Sequence, residues 1–567
     1  MTWTPSARLG RIEAAIEEAS RPGGALCPDT LLSLDEKEVF PSAAAAFLDE
    51  LEIHRLYVDR RNGGELDHLF DLTSLVRLLA RRDLTLAVGH PKTFLGAASV
   101  WLGGDSGQRR RLAERINRRA IVSWGLTERA HGADLLSGEL TATPTDQGWA
   151  LTGEKWLINN ATRGDLVSVL ARTRPEGGPR GFSVILFDKE RADPHSWTST
   201  PKLPTHGIRG ADISGIAFHE TAVDAEAVIG PLGSGVETTL KALQLTRTMC
   251  CGLSLGALDH ALALGRRFLR ERRLYGRTLA DLPNLQRELG RSIAALHTAE
   301  AVSLAAASTA GNAPDELSLI SAVAKALVPE MCQEAISRIG ELLGLRGFLT
   351  ANEPYRAFQK LDRDHRIVSI FDGSTAVCRN LTVEHFPVLT RARLTPDGRS
   401  GLFGTPSQPW DPSRLRLLAR SCWLVPAMAA DCDVLAAQAA AGEVPAAAAK
   451  LAAAALRSLR RVLGEMADID RGPRQVPQEA FDIARDFELC TAAAAVCRLW
   501  TEGAATSKDL RLWQDGLWLT AALTLIVERL PSRDTGERRD VFGVLGRLAL
   551  QDGGHEALSI FPRGEVR

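Results

Sequence analysis

Hydrophobic positions in the first part of the chain recur at helical spacing. Steps of three and four residues place apolar side chains on one face of a helix. The clearest run of such positions is Leu69, Leu72, Val76 and Leu79. The pattern predicts an N-terminal helical domain over residues 1–120.

The pattern changes after residue 120, where short apolar runs alternate with turn residues. The segments 166–171, 181–188 and 213–218 are rich in Val, Ile and Phe, as β-strands are. Gly and Pro in the segment 174–179 are typical of a hairpin loop. We therefore expect a small, barrel-like β domain over residues 121–235.

Long helical patterns return after this domain. The predicted helices cover residues 239–274, 283–310 and 314–343, with a fourth that begins at Ser374. Four long helices with short connections indicate a four-helix bundle, here over residues 236–390.

The last third of the chain is also helical. Pro, Gly, Ser and Arg dominate residues 391–413, which we interpret as a linker. An apolar stripe follows in the predicted extra C-terminal helical domain, residues 414–567. The stripe consists of Leu456, Leu459, Leu463 and Met466. The predicted fold class is therefore mainly α with an inserted β domain.

Composition narrows the class of protein only slightly. A formal net charge of −1 over 567 residues gives no reason to expect nucleic acid or an anionic membrane as a partner. The longest apolar candidate segment, 516–527, is shorter than the ~20 residues that span a bilayer. The N-terminus has no signal-peptide pattern, and the nine cysteines and 12 histidines show no metal-ligand spacing. We expect a cytoplasmic protein without a bound metal.

The stretch from Arg363 to Arg379 combines an apolar run with chemistry-bearing residues. Asp372 follows the apolar run. Gly373 would let the backbone come close to a ligand, and Ser374 adds a hydroxyl group. A desolvated carboxylate at this place would be a strong base. From these residues alone the stretch is either an acidic turn that ends a buried segment or a catalytic loop.

Four segments together resemble the acyl-CoA dehydrogenase family. They are SWGLTERAHGADL from Ser123, GEKWLINN from Gly153, RRLYG from Arg272, and the stretch 363–379 with its Asp-Gly-Ser. The family has Thr-Glu-Pro with a Gly-rich turn in the first segment, a Lys-x-Trp pattern in the second, Arg-x-x-Phe-Gly in the third, and Glu-Gly-Thr in the fourth. The order of helices, β domain and bundle is also similar, and the C-terminal helices resemble those members that carry an extra helical domain.

The resemblance implies FAD as cofactor and α,β-dehydrogenation of an acyl thioester. Asp372 takes the place of the family's catalytic Glu, one methylene shorter, and the substrate side would include Arg247, Phe371 and Gly373. The expected FAD-binding residues are Trp124, Leu126, Thr127, Gly132, Ala133, Leu157, Asn159, Arg272, Tyr275, Gly344 and Ser374. Some relatives place the base on the first bundle helix, where this chain has Thr246.

The implied partners are acyl-CoA or an acyl carrier protein, and electron-transfer flavoprotein or another acceptor. A homodimer or homotetramer is expected, with Arg272–Gly276 completing a neighbour's FAD site. The departures from the family pattern suggest an unusual substrate in specialised metabolism. Two alternatives stay open: a flavin monooxygenase on the same fold, and a DNA-binding flavoprotein. In the DNA-binding alternative, the basic face would include Arg414, Arg416, Arg420, Arg457, Arg460 and Arg461.

Overall fold

The computed structural model describes residues 6–350, 354–391, 403, 411–469, 475–503, 511–531 and 540–561. The chain forms two compact units. The N-terminal unit comprises residues 8–246 and 410–417, and the C-terminal unit comprises residues 1–7, 247–409 and 418–567. Most of the predicted linker therefore lies outside the described residues, and the division into five segments stays a prediction.

The N-terminal unit begins with helices, as predicted. They are α1 (Ala7–Ala19), α2 (Pro28–Glu36), α3 (Ser42–Glu50), α4 (Leu69–Ala80), α5 (Leu84–Gly89), α6 (Lys92–Gly103) and α7 (Ser106–Asn117). The stripe Leu69, Leu72, Val76 and Leu79 is buried along α4. Burial of this stripe is the main reason that the segment is stable as a helix, since the isolated segment is too short to be stable in water.

A β-sheet follows α7. Its strands are β1 (Val122–Gly125), β2 (Thr141–Thr145), β3 (Gly148–Asn159), β4 (Leu166–Arg172), β5 (Phe182–Asp188), β6 (Trp197–Thr200), β7 (Ile213–Asp224) and β8 (Val228–Ile229). The order is β6-β7-β3-β2-β4-β5-β8, with β1 parallel to β4. The three predicted strands are confirmed as β4, β5 and β7, and their inward residues include Val167, Ile185 and Phe218.

Long helices form the centre of the C-terminal unit. The elements up to residue 391 are α8 (Gly235–Glu271), β9 (Arg273–Leu274), β10 (Arg277–Thr278), α9 (Pro283–Asn312), α10 (Leu317–Leu343), α11 (Leu345–Phe348), α12 (Ala357–His365), α13 (Thr375–Glu384) and α14 (Phe386–Leu389). All four predicted bundle helices occur. The first ends at Glu271 rather than 274, because Tyr275 and Gly276 both have positive φ and turn the chain into a two-stranded hairpin.

The C-terminal helices pack on the bundle helices within this unit. They are α15 (Leu424–Ala440), α16 (Ala446–Asp468), α17 (Gln478–Gly503), α18 (Arg511–Gln514), α19 (Leu517–Val527) and α20 (Val541–Leu550). Helix α9 contacts α10, α17, α19 and α20. The predicted stripe lies on α16, with Leu459 and Met466 buried.

Among the described residues, α8 is the one helix long and apolar enough to cross a membrane by length and composition. The interpretation of the segment 516–527 as the longest apolar candidate was therefore wrong. However, 83% of the apolar window of α8 is buried inside the protein. Such burial is typical of a core helix.

Candidate active site

Hydrogen bonds join the two predicted cofactor segments of the N-terminal unit to each other. The Thr127 hydroxyl donates to the Trp156 carbonyl over 2.7 Å, and the Trp156 N–H donates to the Thr127 carbonyl over 2.9 Å. The hydroxyl proton of Thr127 is therefore engaged with the backbone. Its oxygen keeps a lone pair with which to accept a further hydrogen bond.

A buried ion pair supports the loop that follows Thr127. The Lys155 Nζ atom lies 2.6 Å from Glu128 Oε1 and also donates to the Leu126 carbonyl. Burial opposes ionisation of Glu128, but the Lys155 ammonium and the backbone N–H groups of Glu139 and Leu140 outweigh it and lower the pKa of Glu128. The Glu and Lys of the two family-like segments thus have a structural role.

This ion pair anchors a loop that carries two of the predicted FAD contacts. Gly132 and Ala133 are both exposed at its tip. Neither residue has a large side chain that would keep a ligand from the backbone, and a Cβ atom on Gly132 would meet nothing within 4 Å. The backbone of the loop tip is therefore open to a ligand.

Leu157 occupies a β-bulge on β3. The pairing of β3 with β7 shifts register between Trp156 and Ile158, which leaves Leu157 without a partner residue. Its φ is 59°, a strained value for a leucine, and its side chain is 46% exposed. Bulges next to functional sites re-aim a side chain, and here the bulge directs Leu157 outward as a ligand-packing role requires.

Two predicted FAD residues of this unit have buried polar atoms without a protein partner. The Asn159 amide donates from Nδ2 to the Val88 carbonyl over 3.1 Å, while its Oδ1 atom has no hydrogen-bond partner in the described part of the chain. The Trp124 Nε1 atom is similarly unpaired there. Because buried polar groups normally have partners, an acceptor and a donor left open fit a polar, heteroaromatic ligand such as the flavin ring.

In the C-terminal unit, Asp372 lies in a strained loop between α12 and α13. Asp372 has a φ of 53° and Gly373 a φ of 96°. The Arg247 Nε atom, from the buried part of α8, donates to the Asp372 carbonyl over 3.2 Å. The positive φ favours glycine at position 373, and a Cβ atom there would come within 3.1 Å of Arg247 Nη2, so the arginine side chain would have to shift slightly.

Apolar shielding of Asp372 is less extensive than the sequence indicates. Asp372 and Phe371 are half-buried, whereas Ile370 is 61% exposed. The run before Asp372 is a 3-10 turn (Arg366–Ser369) rather than a buried strand or helix, and of its residues only Val368 is buried. The interpretation of this run as a buried segment was therefore wrong in its geometry.

Cys250 is a neighbour of Asp372 that the sequence did not suggest. Its Sγ atom lies 3.6 Å from Asp372 Oδ2 and is a donor to that carboxylate. Burial, together with the negative charge of Asp372, raises the pKa of the Cys250 thiol well above its usual value, so the thiol keeps its proton. Cys250 lies three residues after Arg247, on the same face of α8, and this spacing could have identified it.

Ser374 is the N-cap of α13. Its hydroxyl oxygen accepts a hydrogen bond from the Val377 N–H over 3.4 Å, and the described part of the chain offers no acceptor for its proton. Arg379, at the end of the family-like stretch, bonds Glu488 of α17 and Glu330 of α10. The alternative base position, Thr246, is buried, and its hydroxyl donates within α8.

The three other predicted FAD residues of this unit are exposed. Arg272 follows α8, Tyr275 is 101% exposed at the tip of the β9–β10 hairpin, and Gly344 ends α10 with a φ of 57°. Among the described residues, no hydrogen bond or ion pair joins them to the Asp372 loop. Their exposure is what contact with a second subunit would require.

A cavity of about 670 Å³ lies in the C-terminal unit. Glu330 and Glu341 contribute negative charge to its wall, and Arg338, Arg379 and Arg485 contribute positive charge. No group of three or more potential metal ligands occurs in the described ranges.

Comparison with known proteins identifies the class. Residues 123–221 match the family model for the acyl-CoA dehydrogenase middle domain, and residues 233–386 match that for the C-terminal domain. The chain belongs to the acyl-CoA dehydrogenase family, a class of FAD-dependent oxidoreductases.

Two individual proteins of this class are similar to the chain over more than half of its length. A probable acyl-CoA dehydrogenase of Mycobacterium leprae is 25% identical over 61% of this chain and 87% of its own length. Butyryl-CoA dehydrogenase from Megasphaera elsdenii has a TM-score of 0.63 at 20% identity, covering 68% of this chain and 100% of its own.

One solved structure matches nearly the whole length. An acyl-CoA dehydrogenase from Bacillus anthracis, in complex with FAD, has a TM-score of 0.69 at 16% identity. The match covers 99% of this chain and 94% of that one, so the fold with its C-terminal helices occurs in that protein as well.

Proposed function

We propose that this protein is a flavin-dependent dehydrogenase that oxidises an acyl thioester between Cα and Cβ, with Asp372 as the base that removes the α-proton. The observation that carries the proposal is the Asp372 loop. A half-buried carboxylate is held in a left-handed backbone conformation by Arg247, with a thiol proton donor 3.6 Å away. Backbone strain of this kind concentrates at functional sites, and the family assignment indicates which reaction this loop would catalyse.

The short side chain of Asp372 restricts where the α-carbon of a substrate can lie. Aspartate holds its carboxylate about 1.5 Å further back than glutamate would, and a misplacement of about 1 Å can lower a rate on the order of a hundredfold. We infer that the substrate of this enzyme brings its α-carbon closer to the loop than a simple acyl-CoA does. A branched or carrier-protein-bound acyl group of specialised metabolism would fit such a site.

FAD is the cofactor in this proposal, and when bound it supplies the acceptor for the hydride that leaves Cβ. On the N-terminal unit, Trp124 and Asn159 offer their open donor and acceptor to the flavin, and Leu157 packs from its bulge. Thr127 accepts through its free lone pair, and the exposed backbone at Gly132 and Ala133 approaches the ligand. The unpaired Ser374 proton on the C-terminal unit would donate to a phosphate oxygen.

Exposed apolar residues on the C-terminal unit support the proposed homodimer or homotetramer. Tyr275, Leu345 and Phe348 are each at least 80% exposed. Tyr355 is fixed within the same unit, since its hydroxyl donates to Glu271 and its ring centre lies 5.2 Å from that of Phe268. Large apolar side chains on an ordered surface are typical of an interface.

Electron-transfer flavoprotein is the proposed electron acceptor, and the cytoplasm is the proposed location.

A spectral assay tests the proposed function. Purified protein should show bound flavin, and its visible absorbance should bleach without oxygen when the correct acyl thioester is added. Acyl-CoAs and acyl-carrier thioesters of several chain lengths form the substrate panel. A flavin-loaded protein that no member of the panel bleaches would contradict the proposal. Rapid formation of a hydroxylated product with oxygen would favour the monooxygenase instead.

A further inference from the structure

Lys325 is a fully buried lysine on α10 that the proposed reaction has not used. It lies in an apolar stretch and is 0% exposed. Its Nζ atom donates to the Val368 carbonyl over 2.7 Å and to the Gly373 carbonyl over 3.1 Å. The same atom lies 5.6 Å from the centre of the Phe371 ring. Every one of these contacts is to the segment that carries Asp372.

The contacts of Lys325 differ from those of the other buried lysines in the described ranges. Lys155 is paired with Glu128, and Lys360 is paired with Asp364. Lys325 has neutral carbonyl acceptors instead, with no ion pair among the described residues. An ammonium group without a paired carboxylate is costly to bury, so its presence under this loop calls for a reason.

Lys325 completes a set of donors that fixes both strained residues of the loop. Arg247 holds the Asp372 carbonyl, while Lys325 and the Cys378 thiol, at 3.5 Å, hold the Gly373 carbonyl. In a planar trans peptide the N–H group points away from its own carbonyl. The donors therefore set the direction of the Gly373 and Ser374 N–H groups as well as the place of the Asp372 side chain.

We propose that Lys325 is a positioning residue for Asp372. It holds the loop in its left-handed conformation by donating to the Val368 and Gly373 carbonyls on either side of Asp372. The inference rests on the proposed role of Asp372 as base. The titratable and charged groups that face this region are Arg247, Cys250 and Cys251 from α8, His365 from α12, Cys378 from α13, and Asp372 itself.

Two substitutions test the role of Lys325 as a donor to the loop. Lys325→Met removes donor and charge, whereas Lys325→Gln keeps an N–H donor, one bond shorter, without the charge. We expect Lys325→Met to raise hydrogen–deuterium exchange of residues 368–376 on the order of tenfold, because the loop loses its anchor. We expect Lys325→Gln to leave most of that protection.

Lys325→Met should also slow flavin reduction by the thioester, whereas Lys325→Gln should retain most of the wild-type rate, because its amide keeps a donor to the loop. Gly290→Ala is the control, since it disturbs packing elsewhere in the same unit and should not raise the exchange of residues 368–376 selectively. Exchange within twofold of wild type in Lys325→Met overturns the positioning role.

The exchange measurement does not depend on turnover. If no tested thioester reduces the flavin of the wild-type protein, the proposed function fails. Loop exchange still decides whether Lys325 anchors the Asp372 segment. If Lys325→Met does not fold, Lys325→Leu replaces it, because leucine also lacks a donor. Loop exchange within twofold of wild type in that variant overturns the positioning role.

Discussion

At the scale of single residues, Asp372 decides whether the protein is a dehydrogenase. Asp372→Asn keeps the size of the side chain and the loop contacts of its carbonyl with Arg247 but removes the base. Loss of general base catalysis should slow flavin reduction on the order of 10²- to 10⁴-fold. Stopped-flow absorbance measures the rate, and the visible spectrum measures the flavin content, which should be unchanged. Turnover equal to that of wild type would remove Asp372 as the base.

Asp372→Glu is the matched variant, because it restores the family's residue. It should extend the carboxylate toward a simple acyl-CoA and raise the rate with that substrate relative to the natural one. The position of Cys250 makes this change informative, since the thiol lies 3.6 Å from the present carboxylate and a longer side chain must displace that contact. A lower rate with every thioester would show that the site is built for aspartate.

The sequence identifies Asp372 but leaves out much of its environment. The Asp-Gly-Ser pattern and its spacing were sufficient to place the loop. Cys250 was missed although its helical spacing from Arg247 is a usable signal, and Lys325 was missed because a lysine in an apolar helix has no pattern of its own. Their importance comes from tertiary contacts to residues more than 40 positions away. Asn159 was placed at the flavin, yet only the structure shows that the Val88 carbonyl engages its amide nitrogen and leaves Oδ1 open.

At the scale of elements, the crossing of α9 and α20 gives a second prediction. A Cβ atom on Gly290 would lie 1.8 Å from the Phe542 carbonyl oxygen, and one on Gly546 would lie 1.8 Å from the Gln286 carbonyl oxygen. The two helices therefore meet backbone to backbone. Gly290→Ala should destabilise the protein by about 1–3 kcal/mol, the usual cost of overpacking a core. Thermal unfolding by circular dichroism measures the loss.

Gly464→Ala is the control for that substitution. Gly464 lies on an exposed face of α16, and a Cβ atom there meets nothing within 4 Å. Alanine should stabilise this helix by about 0.5–1 kcal/mol, because glycine is a poor helix former. Equal effects at the two positions would mean that α9 and α20 do not pack closely in solution.

Helices and strands were easier to predict than the places where they depart from regular geometry. Apolar periodicity located α4, α9, α10 and the strands β4, β5 and β7. The hairpin at Tyr275 and the bulge at Leu157 depend on positive φ at bulky residues, which is unfavourable locally and is stable only within a folded protein. Both departures lie at predicted cofactor positions, where local rules are expected to fail.

At the scale of the whole molecule, the sequence shows the order of segments but not how the C-terminal helices are held. Arg379 of α13 bonds Glu488 of α17 with its Nε atom over 3.0 Å, and Glu316 accepts from the Trp423 N–H at the start of α15. These long-range pairs link the C-terminal helices to the bundle, including the helix that follows Asp372. No local pattern predicts them, because each joins residues about 100 positions apart.

Stability in acid gives a prediction for the C-terminal unit. His365 is buried, with Nδ1 bonded to Gln333 and Nε2 to Ser254, and burial lowers its pKa from 6.5 to about 4. The folded protein therefore keeps His365 neutral while the unfolded chain takes up a proton below pH 6.5. Stability should fall as pH decreases from about 6.5 to 4, by about 3 kcal/mol in total from this group.

Comparison with His365→Gln isolates that contribution. The difference in unfolding free energy between wild type and variant should shrink as pH falls through this window, because glutamine does not titrate. Parallel pH curves for wild type and His365→Gln would contradict the buried, neutral histidine.

Assembly is the last property that the whole molecule predicts. The exposed apolar residues Tyr275 and Phe348, at 101% and 82% exposure, should be covered by a second copy of the chain. Wild-type protein should therefore sediment as a dimer or tetramer at micromolar concentration, and the pair Tyr275→Ser with Phe348→Ser should shift it toward monomer and reduce its flavin content. Val434→Ser, at another exposed apolar position, is the control and should change neither. A monomeric wild type with full flavin would show that one chain binds the cofactor alone.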